Sequence, residues 1–233
     1  MVRPLFQRPE HQAVATALQA MDHDRLMQCR CWFGGGTEIV LDLGEYRLSK
    51  DIDFLCADPD GYRALRSAAV SQDVTAFFER DVVLERPFRS DQYGIRAMIR
   101  VGRVPIRFEI VREGRIALDG RADPDLGVPR LNEADRVAEK LLANADRCQD
   151  LSTHFRDAAD LGMLALHRHP LPEAAFRKAH NAYGDDVCRK LDWALTALAD
   201  LDRLTETSIA LGMDAATLTA AIIALDSEAA RNR

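Results

Sequence analysis

Residues 33–55 read FGGGTEIVLDLGEYRLSKDIDFL, a run of glycines followed, after a polar loop, by two alternating acids. That pairing constrains the chain more than any other feature. In a strand, Asp51 and Asp53 stand at i and i+2 and project to one face, while Ile52 and Phe54 project to the other. Two carboxylates held side by side repel and raise each other's proton affinity, a conflict that a divalent cation relieves. Hard oxygen ligands of this kind suit Mg²⁺. Upstream, Gly34, Gly35 and Gly36 allow a tight turn and a close approach of backbone to ligand. Thr37 then opens an apolar run (Ile39, Val40, Leu41, Leu43) of one or two helical turns. The N-terminus of such a helix favours phosphate through its free N–H groups and its dipole. A phosphate seat followed by a metal-binding acid pair points to metal-assisted phosphoryl or nucleotidyl transfer. Taken singly, each half has a plainer reading, a glycine turn and an exposed acidic strand end.

Gly35-Gly36-Thr37, Arg47-Leu48-Ser49 and Asp51-Ile52-Asp53-Phe54 resemble the first motif of the nucleotidyltransferase superfamily related to DNA polymerase β. Within it they are most similar to the AbiEii/AbiGii toxin branch: a GG(S/T) turn, a helix, then an R-x-S-x-D-(I/L)-D-F strand. The fifteen-residue step from Gly36 to Asp51 fits that branch. Two more motifs follow in the branch's order. AEKLLA at 138–143 resembles E-K-L-x-A, and FRDAADL at 155–161 resembles R-D-x-x-D-L, with alanine where the branch has an aromatic residue between the acids.

The resemblance covers most of residues 33–161 and implies an α+β fold, a nucleotidyltransferase-type mixed sheet with helices, followed by a C-terminal helical domain that closes a catalytic cleft. It implies a Mg²⁺-dependent transfer of a nucleoside monophosphate from an NTP to an acceptor hydroxyl. The acceptor would be a tRNA 3′ end or another hydroxyl, and the protein the toxin of a pair held in check by an antitoxin. Gly35, Gly36 and Thr37, with Arg47 and Ser49, would seat the nucleotide. Asp51 and Asp53 would hold the metal, with Glu109 as the third carboxylate from a neighbouring strand. Lys140 would hold a phosphate as a point charge, Asp157 would reach the cleft beside it, and Asp160 would be a structural partner.

Several of these residues have a second reading. In the strand at 104–111, Ile106, Phe108 and Ile110 share one face and Arg107, Glu109 and Val111 the other, so Glu109 is equally placed for an ion pair with Arg107 or Arg96. Lys140 on a helix has the plain reading of a solvated lysine. Asp157 and Asp160 lie on one side of a helix, where Arg156 can reach Asp160 at i+4. Two other function classes stand beside the toxin enzyme: a non-catalytic protein that binds nucleotide or a partner, and a small-molecule nucleotidyltransferase of the antibiotic-modifying kind.

A chain of 233 residues holds one large domain or two modest ones. The pattern expects a sheet domain over 1–128 and a helical domain over 129–233. The net charge of −6 argues against a general coat for nucleic acid, yet residues 80–121 carry ten arginines against six acids. That excess faces a polyanion such as RNA or simply occupies outward positions of edge strands. Five cysteines, an odd count, fit reduced thiols, and Cys29-x-Cys31 has the wrong spacing for a zinc knuckle. No apolar run is long enough to span a bilayer, and Arg3, Arg8, Glu10 and His11 interrupt any leader over residues 1–20. A cytoplasmic protein with no membrane association is expected. The six histidines show no ligand spacing.

Periodicity predicts a helix over 10–28, a strand at 29–33, a helix over 61–79, strands at 82–84, 95–101 and 104–111 with a hairpin at Gly102-Arg103, and a loop at 123–129. A helix from Glu133 to Arg147 behind Asn132 follows, then one stopped at His169-Pro170-Leu171-Pro172. Helices over 173–181, 184–205 and 214–230 complete the chain. Trp193, opposite a leucine stripe, is read as a domain contact.

Overall fold

The structure, a computed structural model, describes residues 6–232. Residues 1–5 and 233 lie outside it, and with them Arg3, one of the residues read against a leader, and the outer ends of both expected domains. The chain divides into two compact units, Met1–Leu41 with Ser49–Asn132, and Asp42–Leu48 with Glu133–Arg233. One is a sheet with helices and the other is helical, a mixed α+β architecture.

The sheet unit opens with α1 (Pro9–Gln19) and α2 (His23–Gln28). The pattern predicts one helix here, and the chain forms two. Asp22 caps α2 by accepting from the Arg25 N–H at 2.9 Å. The residues before it extend: Met21 bridges Phe78, Asp22 donates its N–H to the Phe77 carbonyl, and Glu79 donates to Ala20. Both halves keep the helical period, so periodicity alone does not mark the break.

β1 (Cys31–Gly34) leads into α3 (Gly35–Asp42), and β2 (Ile52–Cys56) follows the polar loop. The Asp58 to Gly61 cluster that ends β2 also opens α4 (Pro59–Gln72), with Asp58 accepting from the Gly61 N–H at 2.6 Å and Pro59 in the first turn. β3 (Val83–Ser90), β4 (Gly94–Val101) and β5 (Val104–Arg112) form a meander with its expected corner at Gly102. β3 runs past the expected end at 84. It is an edge strand with two register shifts, which is where a strand tolerates Pro87.

The segment at 123–129, expected as a loop, is instead the centre of a hairpin between β6 (Gly120–Asp123) and β7 (Val128–Leu131). Four-residue strands joined by Pro124 and Gly127 are too short to show alternation, which hides them from the sequence. The sheet order is β3-β4-β5-β2-β1-β7-β6. β2 runs parallel to β5 and β1 parallel to β7, and the other neighbours are antiparallel.

One face of this sheet carries the core. Phe108 is fully buried, with ring centroids of Phe54, Phe77, Phe78 and Phe88 at 6.3, 5.6, 5.3 and 6.1 Å. Leu65 and Tyr62 of α4 pack into the same cluster, so α4 covers that face. The other face holds a small apolar patch of Trp32, Leu55, Leu118 and Leu131, and it also carries Arg96, Arg107 and Glu109. All five cysteines are free thiols, as the odd count suggested.

The helical unit comprises α5 (Glu133–Arg147), α6 (Arg156–His167), α7 (Glu173–Tyr183), α8 (Asp186–Leu198), α9 (Leu201–Leu211) and α10 (Ala215–Arg231). The expected helix over 184–205 is two helices, because Asp200 accepts from the Arg203 N–H at 2.9 Å and starts α9 afresh. Gly212 ends α9 in the left-handed region and Asp214 caps α10, in line with the sequence. A methyl group on Gly162 of α6 would meet the Ala221 carbonyl oxygen of α10 at 2.7 Å, so glycine is what lets these helices approach. Trp193 stacks on Phe155 of the same unit at 5.8 Å, so it marks internal packing rather than a domain contact. Among the described residues no single helix is long and apolar enough to cross a membrane; α9 and α10 pass that test only together, as a pair bent by 116°.

Candidate active site

In the sheet unit the glycine turn and the acids meet. Gly34 pairs with Asp53 across β1 and β2. Gly35 has a φ of +76°, and a methyl group there would lie 2.9 Å from Asp53 Oδ2. The Asp53 carboxylate therefore stands against the first residue of α3, where unsatisfied N–H groups and the dipole favour negative charge. Ile52 and Phe54 are fully buried, while Asp51 just ahead of the strand and Asp53 within it are half-buried, which puts the acids on the face away from the phenylalanine core. Gly36 and Thr37 complete the first turn of α3. The Thr37 hydroxyl, itself buried, lies 2.7 Å from that of Ser49.

Two supports escaped the sequence reading. His11, treated there as featureless, is fully buried and accepts the Ser49 backbone N–H through Nε2 at 3.2 Å, pinning the loop two residues before Asp51. A neutral ring accepting at Nε2 carries its proton on Nδ1. Glu38, one residue beyond Thr37, is buried and pairs with Arg130 of β7 at 3.2 Å, and Arg130 also binds Asp123 at 2.9 Å. Nothing local in the sequence announces either link, since each partner lies far along the chain.

Glu109 makes the ion pairs of its plainer reading and also lies beside the aspartates. It is in register with Asp53 across the parallel β2–β5 pair. Its oxygens are also engaged by Arg96 Nε at 2.6 Å and Arg107 Nη2 at 2.7 Å. Burial disfavours the Arg107 charge, but the bond to Glu109 and the fields of Asp51 and Asp53 outweigh it and hold the guanidinium above its ordinary pKa. Among the described residues no three His, Cys, Asp or Glu side chains form a group that could hold a metal ion. The donor chemistry of Asp51 and Asp53, two carboxylates on one face beside a helix N-terminus, fits Mg²⁺ as a two-acid site. Glu109, with both oxygens on arginines, does not join them as a third donor in this arrangement. A separate cavity of 840 Å³ opens beyond the far ends of β2 and β5, lined by Asp58, Tyr93, Arg112 and Glu113 among others, and includes neither aspartate.

The remaining sequence candidates gather in the helical unit. Lys140 is 5% exposed, and its ammonium bonds Asp157 Oδ1 at 2.9 Å and Asp160 Oδ2 at 2.8 Å. The plain reading of a solvated lysine therefore fails. Arg47, buried like Lys140, grips Asp160 with both fork nitrogens at 2.7 and 2.8 Å, and the Tyr46 hydroxyl donates to Asp160 at 2.6 Å. These contacts, rather than the expected reach from Arg156, fix Asp160. Arg147 holds Asp157 through two bonds of 2.6 and 2.9 Å.

Burial by itself would raise the pKa of both acids. For Asp157 the opposing charges of Lys140 and Arg147 win, and for Asp160 those of Arg47 and Lys140, so both carboxyls sit below their ordinary range. Burial pushes the Tyr46 phenol well up, and the neighbouring Asp160 charge adds to it. Lys140, Arg47 and Arg147 thus surround the two carboxylates.

A mixed sheet with a GG-T turn, two same-face aspartates beside it and a helical C-terminal part defines a protein of the nucleotidyltransferase class. A family model described as "Nucleotidyl transferase AbiEii toxin, Type IV TA system" matches residues 17–227, nearly the whole chain. The chain belongs to the AbiEii family of nucleotidyl transferase toxins of type IV toxin–antitoxin systems. No curated protein and no solved structure matched it.

Proposed function

We propose that the protein transfers a nucleoside monophosphate from an NTP to an acceptor hydroxyl, with Mg²⁺ held by Asp51 and Asp53, as the toxin of a pair that includes an antitoxin. The observation that carries this reading is the Asp53 carboxylate lying against the backbone of Gly35 at the start of α3. That juxtaposition puts an acid where metal and phosphate chemistry would coincide. The metal, when bound, would neutralise phosphate charge and polarise the reacting oxygens.

The chain's own groups do the positioning. Main-chain N–H groups of Gly35, Gly36 and Thr37 offer hydrogen bonds to phosphate oxygens, and the Thr37–Ser49 contact with the His11 prop fixes the loop that delivers Asp51. Arg107 and Arg96 orient Glu109 beside Asp53. In this arrangement Glu109 tunes the charge around the acids; releasing it from either arginine would let it act as a general base toward the acceptor hydroxyl. Lys140 and Asp157 are the helical unit's groups for nucleotide phosphate and acceptor. Arg47 acts through Asp160 to hold Lys140 in place.

The test is label transfer. Purified protein with Mg²⁺, offered each of the four labelled NTPs and a cell extract or total tRNA, is expected to label an acceptor. Asp51→Ala should abolish labelling while the far-ultraviolet circular dichroism stays unchanged. The engagement of both Glu109 oxygens by arginines favours one second reading, a protein that binds Mg–NTP or a partner without turnover. Tight Mg–NTP binding in calorimetry with no label transferred to any acceptor would select it.

A further inference from the structure

The 840 Å³ cavity beyond the far ends of β2 and β5 includes none of the residues assigned to nucleotidyl transfer. Its size is that of a small-molecule pocket. Two of its arginines flank the end of β2 from either side: Cys56 is opposite Arg112 on β5 and opposite Cys31 on β1, and Arg30 immediately precedes Cys31. Across two strand spacings their backbones stand about 10 Å apart. The Arg112 guanidinium lies 6.0 Å from the Tyr62 ring and has no acidic partner among the described residues. Arg30 reaches Asp119 at 3.7 Å, and both side chains are more than half exposed, which makes a weak ion pair. The acids of the lining are already engaged. Glu113 is buried, held by Arg115 Nη2 at 2.6 Å and by the Ile116 N–H at 3.3 Å, while Asp58 caps α4. The rest of the lining supplies an aromatic ring and an apolar wall: Tyr93 is 65% exposed, and Ile116 and Leu118 continue the Trp32 patch. Arg30 also holds a φ of +50°, a region that a long side chain rarely adopts and a strain of the kind found at ligand clamps.

We propose that this cavity is a second ligand site, for a small phosphate monoester that carries a planar ring. Such a phosphate brings a charge of about −1.5 to −2 at neutral pH, which calls for two guanidinium groups where a carboxylate needs one. The exposed ring of Tyr93 offers a stacking surface, and Ile116 and Leu118 cover the apolar edge of the ligand's ring. An inorganic anion would leave the aromatic and apolar lining unused, and an uncharged ring would leave Arg112 unanswered. Nucleoside monophosphates and simple aryl phosphates share the required chemistry. The cavity lies at the opposite end of β2 from Asp51 and Asp53, so the inference does not rest on the nucleotidyl-transfer reading.

The test is calorimetry on the full chain, with no NTP and no divalent metal, against phenyl phosphate, adenosine 5′-monophosphate, inorganic phosphate and phenol. At least one of the first two is expected to bind with a Kd below about 1 mM, and inorganic phosphate and phenol at least about tenfold more weakly. Arg112→Gln and Arg30→Gln should each weaken that binding by at least about tenfold, the loss of one charge-assisted fork. Tyr93→Ala should weaken it by about three- to tenfold through lost stacking. All three positions are exposed, so the far-ultraviolet circular dichroism should not change. Arg63→Gln, an exposed arginine of α4 paired with Asp60, should stay within about twofold of the parent. The ratio between phenyl phosphate and the nucleotide tells a simple aryl phosphate from a nucleoside as the source of the ring. No binding of either below about 1 mM, equal affinities in Arg112→Gln and Arg63→Gln, or inorganic phosphate binding as tightly as the ring-bearing probes would overturn the proposal. Mg–NTP calorimetry, in which Arg112→Gln should match the parent, tests the transfer reading separately, so either can fail alone.

Discussion

The two units deploy charge in opposite ways. In the sheet unit, Asp51, Asp53 and Glu109 sit on a partly open face, and Arg96 and Arg107, which hold Glu109, have side chains that are 44% and 56% exposed. In the helical unit, Arg47, Lys140, Asp157 and Asp160 are closed from solvent and bond one another. The difference teaches that motif residues of one family carry two kinds of work. An open acid can be exchanged for an amide at little cost to folding, whereas removing one member of a closed cluster strands its partners in a poorly solvating interior.

The contrast is sharpest between two variants. Asp160→Ala leaves the Arg47 guanidinium buried without its partner and should destabilise the protein by about 3–5 kcal/mol in urea unfolding. Asp53→Asn should change stability by less than about 1 kcal/mol, the scale of a lost charge–dipole contact at a helix start. It should nonetheless remove label transfer. Comparable stability losses in the two would erase the distinction.

A pH series sharpens it next. Asp157 and Asp160 have folded pKa values below their unfolded value of about 3.9. Their contribution is therefore complete above that value and is lost as pH falls through the folded values. Unfolding free energy should drop below about pH 4 with a slope of up to about 1.4 kcal/mol per pH unit per group. Asp157→Asn should flatten that slope in acid titrations followed by fluorescence, and an unchanged slope would remove Asp157 from the account. The smallest effect belongs to Arg96→Gln, a half-exposed partner of Glu109, expected to cost about 0.2–1 kcal/mol. A larger loss would mean that the open face is as rigidly coupled as the closed cluster.

What the sequence disclosed follows the range of each signal. The glycine turn, the same-face aspartates, the β4–β5 hairpin and α5 are local, and their spacing alone carries them. Breaks at residues 20–22 and 199–200 were missed because a capping aspartate interrupts a helix without interrupting its apolar period. β6 and β7 were missed because four residues cannot display an alternation. The supports of the candidate site were least legible. Arg47 and Asp160 are separated by 113 residues, and His11 and Ser49 by 38, distances at which only the folded chain pairs them.

The short passage Asp42–Leu48 belongs with the helices although the chain on both sides of it belongs with the sheet. The polypeptide is thus stitched: it leaves the first unit after Leu41, lends Tyr46 and Arg47 to Asp160, returns at Ser49, and departs again after Asn132. No single cut yields two whole pieces. A fragment ending at Asn132 would carry an arginine whose counterion had been left behind, and a fragment starting at Glu133 would keep a buried aspartate stripped of its guanidinium clamp.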